Sequence, residues 1–123
     1  MCIRDRKNTH KKRFVILDAA MNDLMRPALY NAYHSIIPLL KANKKNNQMH
    51  DFVGPVCETT DKFLSVVGFQ NLKEKEFVAI SDVGAYGMSL SSNYNLRPKP
   101  LEIMVDNKSL KVILKRQKLL NII

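Results

Sequence analysis

Cysteine and long apolar runs are both scarce in this chain. The two cysteines, Cys2 and Cys57, are too few for a disulfide framework and suit a reducing cytoplasm. No apolar run reaches the roughly 18 residues that a membrane span needs, and no segment resembles a signal peptide. His34 and His50 have no partners at the spacing of metal ligands. We therefore expect a cytoplasmic location, no membrane span and no metal site.

Acidic residues are nearly absent from the two ends of the chain, and this accounts for the net charge of +9. Residues 1–13 hold six basic residues and one acid, and residues 107–123 hold five basic residues and no acid. The intervening residues 14–106 have a net charge of −1. Basic tails are usually solvated, and no nucleic-acid module with interleaved aromatic residues is present. The sequence therefore predicts no nucleic-acid partner.

The length of 123 residues allows one domain at most, with one apolar core. Residues 1–12 are polar, charged and without periodicity, so we interpret them as a disordered or foreign N-terminal tail. The domain proper then spans residues 13–123. Its composition, with 46% apolar and 25% charged residues, is ordinary for a globular chain.

Short apolar runs predict most of the secondary structure. The runs at residues 14–17 and 77–80 predict buried strands, and the run at 35–40, broken by Pro38, predicts an edge strand. A polar loop tip is expected at residues 43–47. Pro27 fits the first turn of a helix, which would place Arg26 at the start of that helix.

The last part of the chain has the clearest pattern. Apolar and other residues alternate at 101–105 and again at 110–115, on either side of a polar turn. This pattern predicts a β-hairpin with one buried face. Together, the elements predict a mainly β domain, similar to a β-barrel or sandwich, with one or two short helices and α+β overall.

Residues 54–61 (GPVCETTD) are the stretch with the most chemical potential. A Gly-Pro pair favours a turn that leaves the following residues near the surface or at a cleft. The thiol of Cys57 then lies directly beside the carboxylate of Glu58. Taken alone this signal is weak, because a lone cysteine in a small domain is more often a buried apolar residue than a catalyst.

Four clusters recur in one order, and together they resemble the diaminopimelate decarboxylases. They are residues 21–30 (MNDLMRPALY), 54–61 (GPVCETTD), 82–87 (DVGAYG) and 91–95 (SSNYN). The resemblance covers roughly residues 11–123 and only the C-terminal part of that family. These are pyridoxal-phosphate enzymes of the alanine-racemase-like class. Their N-terminal barrel, with the cofactor lysine and the Gly-rich phosphate loop, has no counterpart here.

The resemblance implies a role for five side chains. Decarboxylation leaves a carbanion that must be reprotonated, and Cys57 corresponds to the proton donor. Glu58 corresponds to the partner of the substrate's distal ammonium. Arg26, helped by the Tyr30 hydroxyl, corresponds to the group that binds the distal carboxylate. Tyr94 corresponds to the tyrosine that lies against both the cofactor and the substrate.

Without the resemblance, each of these residues has a plainer interpretation. Arg26 would be a surface ion pair, Tyr30 an amphipathic core residue and Tyr94 a buried aromatic. Tyr86 is interpreted as structural, since Gly84 and Gly87 suggest close packing around it. The family usually has a glycine turn where this chain has the charged run at residues 73–76.

The resemblance implies a fragment of a diaminopimelate decarboxylase, which converts meso-diaminopimelate to L-lysine and CO2 in lysine biosynthesis. It further implies a homodimer in which the cysteine and glutamate reach into the partner's cofactor site. This chain alone is expected to be inactive, because the barrel is missing. Two alternatives remain: a related decarboxylase of another amino acid with a charged side chain, and a non-catalytic β-domain that mediates association. The presence of both Arg26 and Glu58 favours an enzyme for a zwitterionic distal group.

Overall fold

A computed structural model describes residues 1–41 and 46–122, so the loop tip expected at 43–47 lies partly outside the described residues. Within these ranges the chain forms eight strands and one α-helix. In chain order they are β1 (Ile3–Asn8), β2 (Lys12–Leu17), α1 (Arg26–Tyr30), β3 (Ile36–Pro38), β4 (Met49–Val53), β5 (Lys62–Val67), β6 (Val78–Ile80), β7 (Glu102–Asp106) and β8 (Ser109–Leu114).

The largest sheet has four strands in the order β1-β2-β4-β5. β2 runs parallel to β4, whereas the other two pairs are antiparallel. The strand predicted from the apolar run at 14–17 is confirmed as β2. Its Val15 and Leu17 are fully buried and belong to the core cluster. They share one side of the strand because alternate residues of a strand point to the same side. β4 ends at Val53 and β5 begins at Lys62, so two paired strands hold both ends of the loop at residues 54–61.

The core lies on one side of this sheet. Phe52 of β4 is fully buried, and its ring meets the Phe69 ring edge-on with 4.9 Å between centroids. Leu72 and Val78 complete the same cluster from the later part of the chain. Burying an aliphatic or aromatic side chain contributes ~1.5–3 kcal/mol, so these contacts hold β6 against the large sheet.

A second sheet consists of β3 and β6 alone. Pro38 lies opposite Val78 in this antiparallel pair. Proline has no N–H to donate to a ladder and is therefore confined to edge strands. The edge strand predicted around Pro38 is confirmed. The buried strand predicted at 77–80 is confirmed for Val78–Ile80, whereas Phe77 precedes the strand and is 53% exposed.

The helix α1 begins at Arg26, with Pro27 in its first turn as the sequence predicts. It ends at Asn31, which has a positive φ of 53° and whose N–H bonds to the Arg26 carbonyl. Asparagine tolerates this left-handed conformation better than most residues, so it terminates the helix after five residues.

The structure places a strand where the sequence analysis expects a disordered or foreign tail. β1 pairs with β2, and its first residue, Ile3, is 1% exposed and belongs to the core. The Ile3 N–H donates to the Glu76 carbonyl at 2.9 Å. The other β1 side chains are exposed. A strand that buries a single side chain has no apolar periodicity, which is why the sequence pattern does not reveal it.

The hairpin of β7 and β8 forms as predicted, but the prediction that one of its faces is buried is wrong. Val105 and Leu110 lie opposite each other and are 70% and 75% exposed. Ile103 and Val112 form the next pair on the same face and are also exposed. The hairpin pairs only with itself within the described residues, so no second layer covers its apolar face.

The fold is thus mostly strands with one short helix, as the predicted mainly β class requires. The strands of the described residues do not close into a barrel. No helix in the described part of the chain is long and apolar enough to cross a membrane.

Candidate functional site

The loop at residues 54–61 closes on itself between β4 and β5. The Gly54 N–H donates to the Asp61 carbonyl at 3.0 Å, and the Asp61 N–H donates to the Glu58 carbonyl at 3.1 Å. The Glu58 N–H donates in turn to the Val56 carbonyl at 2.9 Å. These backbone bonds turn the middle of the loop outward, and Cys57 and Glu58 are both exposed there.

The carboxylate of Asp61 lies beneath this loop and is 2% exposed. Its Oδ1 accepts the Met21 N–H at 2.7 Å, and its Oδ2 accepts the Val56 N–H at 2.9 Å. Burial raises the pKa of Asp61, and the two N–H donors together with the nearby Arg97 charge offset only part of that effect. The loop therefore rests on a buried carboxyl group that two segments of the chain share.

Cys57, Glu58 and Tyr94 come together at the surface of the loop. The Tyr94 hydroxyl donates a short hydrogen bond to Oε1 of Glu58. This bond, and then the negative charge of Glu58, raise the pKa of Tyr94. Cys57 and Glu58 also line an open pocket of about 340 Å³ together with Asn95 and Arg97. A thiol and a carboxylate thus border one accessible space, and a phenol is hydrogen-bonded to that carboxylate. Such a set can transfer protons and bind a cation.

Arg26 and Tyr30 lie on α1 and do not line this pocket. The Arg26 guanidinium lies over the ring of Tyr86, 5.7 Å from its centroid. Such a cation–π contact fixes the guanidinium plane while leaving its N–H donors available for an anion. Tyr30 is 64% exposed. The structure therefore brings three of the five expected site residues together and places the other two on the neighbouring helix.

Hydrogen bonds join three of the four sequence clusters into one assembly around the loop. The Ser92 N–H donates to the Asn22 carbonyl at 3.0 Å, and the buried Asn22 Nδ2 donates back to the Ser92 carbonyl at 3.3 Å. Met21, the residue before Asn22, donates to Asp61. Residues 21–30, 54–61 and 91–95 are thus tied to one another although they are far apart in the sequence.

Arg97 is a site residue that the sequence reasoning does not identify. Its Nη2 donates to the Asp18 carbonyl at 2.6 Å and lies 3.6 Å from the Asp23 carboxylate. The same side chain lines the pocket of Cys57 and Glu58. Its position immediately before Pro98, just after the Tyr94 cluster, is the one sequence signal that points to it.

Tyr86 also differs from its sequence interpretation. It is 60% exposed and faces Arg26, so its role is not simple packing. Gly87 does need its small size, because a Cβ there would clash with the Val83 carbonyl, whereas Gly84 has open space around it. The expectation of close packing therefore holds at Gly87 and not at Gly84.

The two histidines considered as metal ligands are buried separately. Nδ1 of His34 lies 3.0 Å from the Ser81 carbonyl, and Nδ1 of His50 lies 3.0 Å from the Gln48 carbonyl. Among the described residues, no group of three or more histidine, cysteine or acidic side chains could hold a metal ion.

Comparisons with known proteins give the geometry a context. Residues 1–84 match the family described as "Pyridoxal-dependent decarboxylase, C-terminal sheet domain". The chain is 48% identical to the diaminopimelate decarboxylase of Vibrio cholerae over 113 residues, which cover 92% of this chain and 27% of that protein. It is 43% identical to the diaminopimelate decarboxylase of Aquifex aeolicus over 111 residues, which cover 90% of this chain and 26% of that protein.

A solved structure agrees with these relatives. The crystal structure of diaminopimelate decarboxylase from Helicobacter pylori complexed with L-lysine superposes on 98% of this chain, with a TM-score of 0.88 and 42% identity. The match takes up 29% of that longer chain. This chain therefore spans about a quarter of the length of the curated relatives that it matches.

Proposed function

Because this chain belongs to the family of the pyridoxal-dependent decarboxylases, as their C-terminal sheet domain, we propose that it forms part of the active site of a diaminopimelate decarboxylase. The complete enzyme would convert meso-diaminopimelate to L-lysine and CO2. The observation that carries this proposal is the exposed group of Cys57, Glu58 and Tyr94 on one loop surface. Packing explains neither the exposed thiol nor the exposed carboxylate that follows it and accepts the Tyr94 hydroxyl.

The cofactor of this family is pyridoxal phosphate, which when bound withdraws electrons from the bond that breaks. The residues present fit one side of such a group. Tyr94 is 45% exposed and directly precedes Asn95, which lines the open pocket, so its ring can lie against a planar cofactor. The phosphate-binding loop and the cofactor lysine would come from the N-terminal barrel of the complete enzyme, and no lysine of this chain takes that role.

Cys57 is proposed as the proton donor to the α carbon of the product. Its side chain is exposed next to the pocket, so it can approach a substrate carbon directly. A cysteine thiol has an S–H proton to donate and belongs to the side chains that serve as general acids.

Glu58 is proposed to bind the distal ammonium of the substrate. Its carboxylate already accepts the Tyr94 hydroxyl at one oxygen, which leaves the other oxygen for a charged N–H donor. The Tyr94 bond also fixes the rotamer of Glu58 before the substrate arrives. A preoriented carboxylate loses less side-chain entropy on binding a cation.

Arg26 is proposed to bind the distal carboxylate with its two parallel N–H donors, helped by the Tyr30 hydroxyl. The Tyr86 ring supports the guanidinium from one face. Arg26 does not line the Cys57 pocket within this chain, so the two ends of the substrate would be held by different parts of the assembled site.

The assembly is proposed to be a cytoplasmic homodimer in which Cys57 and Glu58 reach into the partner's cofactor site. The exposure of both side chains and the presence of two free cysteines support this arrangement. The barrel or sandwich expected from the sequence would be completed by further strands of the complete enzyme, packed on the uncovered hairpin face.

The test uses an assembled enzyme, in which the whole of this chain, β1 included, replaces the C-terminal domain of one of the diaminopimelate decarboxylases described above. Cys57→Ala should lower kcat by ~10²–10⁴-fold with little change in KM, because general acid catalysis contributes that much. Glu58→Gln and Arg26→Ala should instead raise KM, with a loss of roughly ten- to a hundredfold in kcat/KM for a lost charged hydrogen bond.

Two further observations complete the test. Arg26→Ala should penalise diaminopimelate more than a substrate that lacks the distal carboxylate, which separates this enzyme from a decarboxylase of another amino acid. A Cys57→Ala enzyme with a kcat close to that of the parent would contradict the role of the thiol. An inactive parent enzyme would contradict the proposed function as a whole.

A further inference from the structure

Asp61 ends the loop that carries Cys57 and Glu58, yet it does not border their pocket. Its side chain is buried within the described structure, and its backbone carbonyl accepts the Gly54 N–H at the opposite end of the loop. Burying a carboxylate is costly unless its oxygens accept hydrogen bonds, so the groups that bond to Asp61 indicate its role.

The Asp61 carboxylate accepts two backbone N–H groups, one from each of two segments that carry expected site residues. One N–H belongs to Val56, the residue directly before Cys57, and the other belongs to Met21, five residues before Arg26. An ionised carboxylate has acceptors only, so it can receive both N–H groups at once, one on each oxygen. An amide in its place would turn an NH2 donor toward one of the two N–H groups.

Gly54 provides a second and independent observation. A Cβ at Gly54 would clash with both carboxylate oxygens of Asp61, so this glycine is required by space. The loop backbone therefore packs directly on the carboxylate. This contact leaves the carboxylate no room for a side chain at position 54.

From this geometry we propose that Asp61 is a positioning residue, which sets the placement of Cys57 and Glu58 relative to the segment that carries Arg26. The inference rests on the proposed function, since it assigns Asp61 a task within that site. Asp61 is buried and lies outside the pocket that Cys57 and Glu58 line. It acts by holding two parts of the site in one register through a single buried carboxylate.

The experiment measures Asp61→Asn in the assembled enzyme, with Asp106→Asn as the matched control. Asp106 lies in the exposed turn of the hairpin, so its substitution removes the same charge away from the site. Asp61→Asn should lower kcat per cofactor-loaded active site by about ten- to a hundredfold, because charged hydrogen bonds are of that size. Counting loaded sites removes losses that come only from unfolded molecules. Asp106→Asn should leave kcat unchanged.

Hydrogen exchange gives the readout that is independent of activity. In Asp61→Asn, peptides that contain Met21 and Val56 should exchange faster, while peptides of β4 around Phe52 keep their protection. Faster exchange at the loop with an unchanged kcat would overturn the proposal. Unchanged exchange at Met21 and Val56 would overturn it as well, because the carboxylate would then not hold the loop.

Gly54→Ala keeps the proposal testable if Asp61→Asn fails to fold. The added methyl should displace the carboxylate and produce the same local exchange and loss of kcat. A normal kcat in Gly54→Ala would overturn the proposal.

If both single variants fold, the double variant with Gly54→Ala and Asp61→Asn should lose no more activity than the more impaired of the two single variants. Additive losses in the double variant would contradict a shared contact. An assembled enzyme that is inactive before any substitution contradicts the proposed function, whereas an active enzyme indifferent to Asp61→Asn contradicts the role of Asp61 alone.

Discussion

The loop at residues 54–61 and the hairpin of β7 and β8 are both short turns of chain, but different forces hold them. The loop is anchored by a buried carboxylate, by its own backbone bonds and by the two strands at its ends. The hairpin is held by its own ladder, and every residue of β8 is exposed. The loop carries polar residues on a buried support, and the hairpin carries apolar residues without any cover.

This contrast separates a polar surface with a buried support from an apolar surface without cover. In the loop, the buried group is the Asp61 carboxylate, and Cys57 and Glu58 lie exposed on the surface that it supports. In the hairpin, Val105 and Leu110 expose surface that water disfavours. Large exposed apolar patches mark surfaces for association. Stability should therefore depend on the core beneath the loop and hardly at all on the hairpin face.

The largest effect on stability is expected at the core residue that supports the loop. Phe52→Ala should lower the free energy of unfolding by ~3–5 kcal/mol, the usual cost of truncating a fully buried phenylalanine. Val112→Ala on the hairpin should change it by less than ~0.5 kcal/mol, because that side chain is about half exposed and packs on no second layer. Urea unfolding of the two variants, followed by circular dichroism, measures both values. Similar losses in the two would show that the hairpin face is packed in solution.

A smaller effect follows from the histidine of β4. His50 is fully buried, its Nδ1 lies against the Gln48 carbonyl, and its Nε2 has no partner in the described structure. Burial lowers the pKa of His50 below its ordinary value of 6.5, and the charge of Arg13 adds to this, against the Gln48 hydrogen bond. At higher pH both the folded and unfolded states are neutral. As the pH falls below 6.5, the unfolded chain takes up the proton first, so stability is lost until the folded pKa is reached.

The measurement compares the unfolding free energy between pH 7.5 and pH 4.5 in His50→Phe and in the parent chain. The parent should lose stability as the pH falls through this window, and His50→Phe should lose less. His10→Gln, which removes an exposed histidine, serves as the control and should follow the parent. Equal dependence of the unfolding free energy on pH in all three chains would contradict a buried neutral His50.

The carboxyl of Asp51 affects stability in a separate pH range. Burial alone would raise the pKa of Asp51, but the hydrogen bonds from Lys12 and Ser65 outweigh burial and lower it. The stability that Asp51 contributes is therefore lost only as the pH falls below about 3.8.

Local sequence patterns were sufficient wherever local forces decide the structure. The apolar run of β2, the proline of α1 and the alternation of β7 and β8 each predicted their element. The resemblance to diaminopimelate decarboxylases, carried by four clusters, is confirmed by the family match and the relatives. β1 escaped prediction because its pairing with β2 comes from backbone bonds and not from an apolar pattern.

Long-range polar contacts could not be predicted from the sequence. Asp61 bonds to Met21 across 40 positions, and Asn22 bonds to Ser92 across 70. No periodicity links such residues, since a buried hydrogen bond depends on three-dimensional placement alone. The burial of the hairpin was wrongly predicted for the related reason that alternation reveals an apolar face but not what covers it.

The smallest effect on stability, but a visible one on association, is expected on the hairpin face. Val105 and Val112 lie on one face with Ile103 and Leu110, and the face is uncovered. This chain alone should therefore self-associate as its concentration rises. Replacing both valines by lysine should reduce that association, because two buried charges oppose contact between apolar faces, while the unfolding free energy changes by less than ~0.5 kcal/mol per site. Sedimentation velocity over a range of concentrations measures it, with Met104→Lys on the opposite face as the control. A parent chain that stays monomeric at high concentration, or a control that dissociates as fully as the double variant, would show that this face does not drive association.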